Sequence, residues 1–211
     1  MVRRLLSLLL SGLFLLGGLT LAGQAVAAAR MAETVEVGSG EVLTGLGLHL
    51  EYYFDRSGRM TLDDIRRLPD SAFSASRYAI PNFSFTSDHV WLRVRVHWKA
   101  PDRGGYTLWQ QYPLTDHFTF YRPDGQGGYQ SSRTGDQYRF SQRELPVRAF
   151  GFTLTPRPGH TDTYYMELHG AGTINVDLQL ASNNASFAAT ENRHLVFGLY
   201  YGALAAMVLY N

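Results

Sequence analysis

VWLRVRVHWK, residues Val90 to Lys99, decides how the fold is read. Val90, Leu92, Val94, Val96 and Trp98 alternate with Trp91, Arg93, Arg95, His97 and Lys99, the period-two pattern of a strand with one face on a core and one towards water. This is the expected central strand of a β-sandwich.

The chain beyond it continues in the same rhythm. Pro101-Asp102-Arg103-Gly104-Gly105 turns the backbone into a strand over Tyr106 to Tyr112, and Leu114 to Tyr121 forms another after Pro113. In that second run Leu114, Asp116, Phe118 and Phe120 share a face, so Asp116 is expected as a buried polar group that must be hydrogen-bonded. Arg122 to Gly128 is a hairpin tip. After the polar stretch Tyr129 to Glu144, inward sets are expected at Phe150, Phe152 and Leu154, at Tyr164, Met166 and Leu168, and at Ile174, Val176, Leu178 and Leu180. Before the opening strand, Arg30 to Gly40 looks like a flexible lead-in, and Leu46, Leu48 and Leu50 alternate as a short first strand. Thr61 and Asp64 have the spacing of a capping box on one or two helical turns ended by Pro69. Roughly seven strands at short intervals, without a βαβ rhythm or a repeat, give an all-β fold, an antiparallel sandwich of preferred jelly-roll topology.

Composition agrees. Aromatics make up 13% of 211 residues, there are 21 glycines, and charged residues reach only 18%. That mixture suits pleated surfaces joined by many turns. A net charge of +1 argues against nucleic acid as the partner. The absence of cysteine excludes disulfides, thiolate metal sites and a Cys nucleophile.

Both ends are apolar. Arg3 and Arg4, the run Leu5 to Leu21, and Ala25-Val26-Ala27 or Ala27-Ala28-Ala29 read as a secretory signal peptide over residues 1–29. Residues 41–182 are the expected extracytoplasmic domain and 183–194 a juxtamembrane linker. Leu195 to Asn211 carries no charge and, at about 1.5 Å per residue, spans roughly 25 Å. It reads as the start of a transmembrane helix, with Gly198, Gly202 and Ala206 as a small-residue stripe.

The order of the pieces carries a resemblance. VWLRVRVHW, YTLWQQYPLTDHFTFYRPDG, PVRAFGFTLTPRPG and TYYMELHGAGTINVDLQL, preceded by LEYYFDRSGRMTLDDIR and followed by FGLYYGALAAMVLYN, resemble the extracellular sensor domain (type 2) of bacterial seven-transmembrane receptors with diverse intracellular signalling modules. The resemblance runs from about Leu46 to Asn211. It implies a periplasmic jelly roll similar to carbohydrate-binding modules, joined at the inner membrane to a seven-helix bundle and a cytoplasmic effector. The expected partners are a small-molecule ligand, with carbohydrates among the candidates, the lipid bilayer and a second receptor copy.

Enzymatic motifs are missing: there is no G-x-S-x-G, H-E-x-x-H, P-loop or complete G-x-G-x-x-G. No enzyme activity, cofactor or metal is expected, with metal binding through histidines of different strands kept as the minor alternative. His89 and His97 share a strand face but lie about 26 Å apart at about 3.3 Å per residue, too far to hold one ion. A glycosidase would need two converging carboxylates among Asp88, Asp116, Glu144, Asp162 and Glu167. The candidate ligand-binding residues are Trp91, Arg93, Arg95 and His97, with Trp109, because rings stack on sugar faces and Arg forks hold carboxylates. That face is either concave and receptive or merely solvated. A membrane-anchored adhesion module and a periplasmic hydrolase are the alternative functions.

Overall fold

The computed structural model of the chain describes residues 31–185, together with Tyr200, Tyr201, Met207 and Tyr210. The expected signal peptide, and most of the expected linker and membrane segment, lie outside the described residues. Among the described residues no helix is long and apolar enough to cross a membrane.

In chain order the strands are β1 (Val35–Val37), β2 (Val42–Leu43), β3 (Glu51–Asp55), β4 (Ser74–Ala75), β5 (Asn82–Phe85), β6 (His89–Trp98) and β7 (Tyr106–Gln110). They continue as β8 (His117–Pro123), β9 (Tyr129–Thr134), β10 (Phe150–Leu154), β11 (Thr161–His169), β12 (Thr173–Asn175) and β13 (Leu178–Ser182). One helix, α1 (Leu62–Arg67), separates β3 from β4. The larger sheet runs β4-β3-β6-β11-β8-β9, with β1 added against β6, and the smaller runs β10-β7-β13-β2. A short β12-β5 ribbon completes the set. Among the described residues every pairing is antiparallel except β1 with β6.

The two sheets close on one core, as the alternation requires. Val90, Leu92, Val94, Val96 and Trp98 are all buried, facing Tyr106, Leu108, Phe150, Phe152, Leu154, Leu178 and Leu180. Each large apolar side chain withdrawn in this way contributes about 1.5–3 kcal/mol. Trp98 is accommodated because its indole N–H donates to Asp162 Oδ2 at 3.1 Å. Phe118, Phe120 and Phe152 form a ring cluster between the sheets, with centroids 5.3 and 4.6 Å from Phe152.

Several local expectations change. Residues 35–37 are not a flexible lead-in: Val35 and Val37 are buried, and the segment pairs with Val96 to Trp98. Leu46–His49 is a 3-10 turn rather than a strand, with Leu46 buried and Leu48 exposed. Gly45 starts that turn at φ 68°, a left-handed conformation that costs glycine little. β8 begins only at His117, so Leu114 is exposed and Asp116 is half-buried rather than a core group. The polar stretch after the hairpin tip contains β9.

The capping box forms as read. The Thr61 hydroxyl accepts from Asp64 N–H at 3.3 Å, while Asp64 Oδ2 accepts from Thr61 N–H at 2.9 Å. Two orphan donors are thereby satisfied. The helix uses its buried residue, Ile65, to start a second small cluster with Phe73, Trp91 and Tyr165 on the outer face of the larger sheet.

Candidate functional site

The residues selected on the polar face of β6 do not form one surface. Trp91 is fully buried against the Ile65 and Phe73 cluster. Arg93 is also buried: its Nε donates to Glu51 Oε2 at 2.5 Å and its NH2 to Asp70 Oδ1 at 2.6 Å. Arg95 reaches the same two carboxylate oxygens, each at 3.0 Å. The Arg93 guanidinium also lies 3.8 Å from the Phe73 ring centre. Two cations and two anions are therefore matched beside α1, and the face is covered at Trp91 and Arg93 while Arg95 and Asp70 remain partly exposed. His97 is half-buried, its Nδ1 2.9 Å from the Thr161 hydroxyl. Trp109 lies on the other sheet, opposite Gly151 and Gln179 in register. Asp116 serves a loop, its Oδ2 accepting from Ala171 N–H at 2.6 Å.

An open cleft lies where the sandwich ends, between edge strands β9 and β10. In register, Thr134, Ser132 and Gln130 stand opposite Phe118, Phe120 and Arg122. Directly opposed residues point to the same side of a sheet, so β9 turns polar side chains towards the space in which β8 places core phenylalanines. Apolar packing stops there, leaving a cavity of about 400 Å³ bounded also by Arg133, Gln142, Glu144 and Phe152. The Thr134 hydroxyl is buried without a hydrogen-bond partner.

Glu144 organises this cleft. It takes Arg122 NH1 at 3.0 and 2.9 Å through its two oxygens, the Ser132 hydroxyl at 2.9 Å and Thr153 N–H at 2.7 Å. Burial raises its carboxyl pKa, but the Thr153 amide, the Arg122 guanidinium and the Ser132 hydroxyl outweigh burial and hold it below the ordinary glutamate value. The carboxylate is thus fixed as an acceptor, while the amides of Gln130 and Gln142 supply donors and acceptors on the lining. The sequence names only Glu144 here, as a candidate carboxylate, because Gln130 to Thr134 is polar at every position and shows no period-two alternation that would mark a strand.

A second cluster sits on the outer face at one end of the larger sheet. His89 on β6, His169 on β11 and His117 on β8 occupy adjacent strands. The His89 and His169 rings stack at 4.0 Å and 4°, and those of His169 and His117 at 4.3 Å and 15°. His89 Nδ1 is 2.7 Å from Glu167 Oε1. Burial, with His89 and His117 on either side, pushes the His169 pKa down to about 4. His89, Glu167 and His169 place one potential ligand atom each within 4.8 Å of one another. Nothing in the local sequence announces this cluster, since His117 lies 28 positions after His89 and His169 a further 52.

Residues 47–182 match the family model described as 7TMR-DISM extracellular 2. Among solved structures, the chain is similar to TmCBM61, determined in complex with beta-1,4-galactotriose. That likeness has 11% identity, covers 64% of this chain and 88% of that one, and has a TM-score of 0.35. No curated protein matches the chain.

Proposed function

Because the chain belongs to the 7TMR-DISM extracellular 2 family, we propose that its sandwich is a non-catalytic, periplasmic ligand-sensing domain of a bacterial membrane receptor, with the β9–β10 cleft as its ligand site. The observation that carries the site assignment is the polar inner face of β9, where Gln130, Ser132 and Thr134 replace the apolar residues that would close the sandwich. The cavity volume of about 400 Å³ falls within the range of about 300–1,000 Å³ typical of small-molecule sites. A lining of amides, hydroxyls and a fixed Arg122–Glu144 pair suits a polyhydroxylated ligand, because each sugar hydroxyl both donates and accepts. Family membership supports a receptor, and the lining chemistry supports the carbohydrate class.

The topology offers a route for coupling. β10, which carries Phe152 and the Glu144-bound Thr153, pairs with β7, and β7 pairs with β13. β13 ends at Ser182, immediately before the expected linker to the membrane. Ligand-induced movement of β10 would therefore reach the chain's exit through two ladders of backbone hydrogen bonds.

Thermal-shift titration of the full chain with a panel of neutral mono- and oligosaccharides tests the reading. A shift that is lost in Gln130→Ala and Gln142→Ala is the expected result. A shift that survives both substitutions moves the site elsewhere, and no shift with any saccharide overturns the ligand class.

A further inference from the structure

We propose that His89, Glu167 and His169 form a site for a borderline transition-metal cation of the zinc class. The cluster shares no residue with the β9–β10 cleft, so the proposal stands apart from the ligand reading.

Sheet geometry brings the donors together. Glu167 and His169 are two residues apart on β11 and therefore project from the same face. β6 runs antiparallel beside them, with Val90 opposite Leu168 and Trp91 opposite Glu167, which places His89 next to His169. The resulting set is two imidazoles and a carboxylate, a donor combination suited to zinc and its neighbours. Metal–ligand bonds of about 2.0–2.1 Å in a tetrahedron separate ligand atoms by about 3.4 Å. The ligand atoms lie within 4.8 Å of one another, so binding would require the side chains to rotate towards that spacing.

A bound divalent cation would be met by two neutral imidazoles and one carboxylate. Glu167 supplies the balancing anion, and its second oxygen accepts from the Tyr121 hydroxyl at 3.4 Å, the kind of outer contact that orients a ligating carboxylate. The side chains of His89 and Glu167 are 22% and 18% exposed, so an ion can enter a partly desolvated position. His117, whose Nδ1 is 3.1 Å from the Tyr138 hydroxyl, backs the His169 ring. Coordination would turn the His89 and His169 rings out of their parallel stack, because imidazole lone pairs lie in the ring plane.

The test is titration of the full chain with Zn²⁺ or Co²⁺ alone, read by calorimetry and, for Co²⁺, by its visible d–d absorption. One equivalent should bind, and His89→Ala and His169→Ala should each weaken binding by more than about tenfold. His97→Ala, outside the cluster, should leave it unchanged. NMR of the histidine rings in the unsubstituted chain provides a check that does not depend on variants folding: Zn²⁺ should shift the His89 and His169 resonances. Failure of both metals to bind, retention of affinity in the His89→Ala/His169→Ala double variant, or shifts confined to His49, His97 or His160 would each overturn the proposal.

Discussion

Arg93 Nε lies 2.5 Å from Glu51 Oε2, and the two side chains are only 6% and 3% exposed. This pair explains why the alternating charges of β6 do not make an open binding face. Glu51 arrives from β3, directly opposite Arg93 in register, and Asp70 closes the arrangement from the turn after α1. The matched charges let the segment from residue 62 to residue 73 settle over Trp91.

Removing one member of this pair strands a buried charge. Glu51→Gln is expected to destabilise the domain by about 3–5 kcal/mol, read from the midpoint of urea unfolding. Asp70→Asn should cost clearly less, because the Asp70 side chain is 52% exposed and water screens what is lost. Equal costs for the two variants would contradict the assignment of Glu51 as the buried partner.

Thr61→Ala removes half of the capping box and should cost about 1 kcal/mol. Since α1 carries Ile65 onto Trp91, acrylamide should quench tryptophan fluorescence more strongly in the variant than in the parent chain. Unchanged quenching would mean that the cover does not depend on the cap.

Acid should weaken the fold through Glu144 and Asp55. For Asp55, burial raises the pKa, but the Ser57 hydroxyl and the Met60, Ser57 and Gly58 amides together lower it. Glu144 is likewise held low. Folded values below the unfolded ones mean that the stabilisation is fully present above the unfolded carboxylate range, about pH 4, and is lost as pH falls through the folded values. Melting temperature should therefore drop on acidification below about pH 4, and the gap between the parent chain and Glu144→Gln should narrow over the same interval. A constant gap would refute the contribution of Glu144.

Gly151→Ala should destabilise the smaller sheet by about 1–3 kcal/mol through overpacking. A β-carbon there would stand 2.6 Å from the Trp109 ring and 2.7 Å from Leu145 Cδ1. Differential scanning calorimetry should show a lowered melting temperature, and partial recovery is expected when Leu145→Ala is added. A neutral Gly151→Ala would show that Trp109 is free to swing away.

The inward residues of β6, β10, β11 and β13 and the Thr61–Asp64 cap were legible from spacing because each depends on neighbours within a few positions. Leu46, Leu48 and Leu50 misled for the same reason: alternation over so short a run does not separate a strand from a 3-10 turn, and Gly45 at φ 68° starts the turn. Val35 and Val37 were missed because two valines in a polar lead-in are a weak signal until β6 offers them an edge.

The candidate site was less legible. Trp91, Arg93, Arg95 and His97 were correctly grouped on one side of their strand, but whether that side meets water depends on α1 and Asp70 folding back over it. Gln130, Ser132 and Thr134 became a cleft wall only when β10 came to rest across from β9. Alone, the sequence determined which residues alternate, where turns and caps form, and that the chain builds an all-β sandwich, since those are consequences of local backbone geometry and side-chain polarity. Tertiary structure alone decided that Glu51 neutralises Arg93, that His89 meets His169, and that the sandwich edge stays open at Thr134. Those contacts follow from strand register between distant segments, in which a shift of one residue would send every side chain to the opposite face.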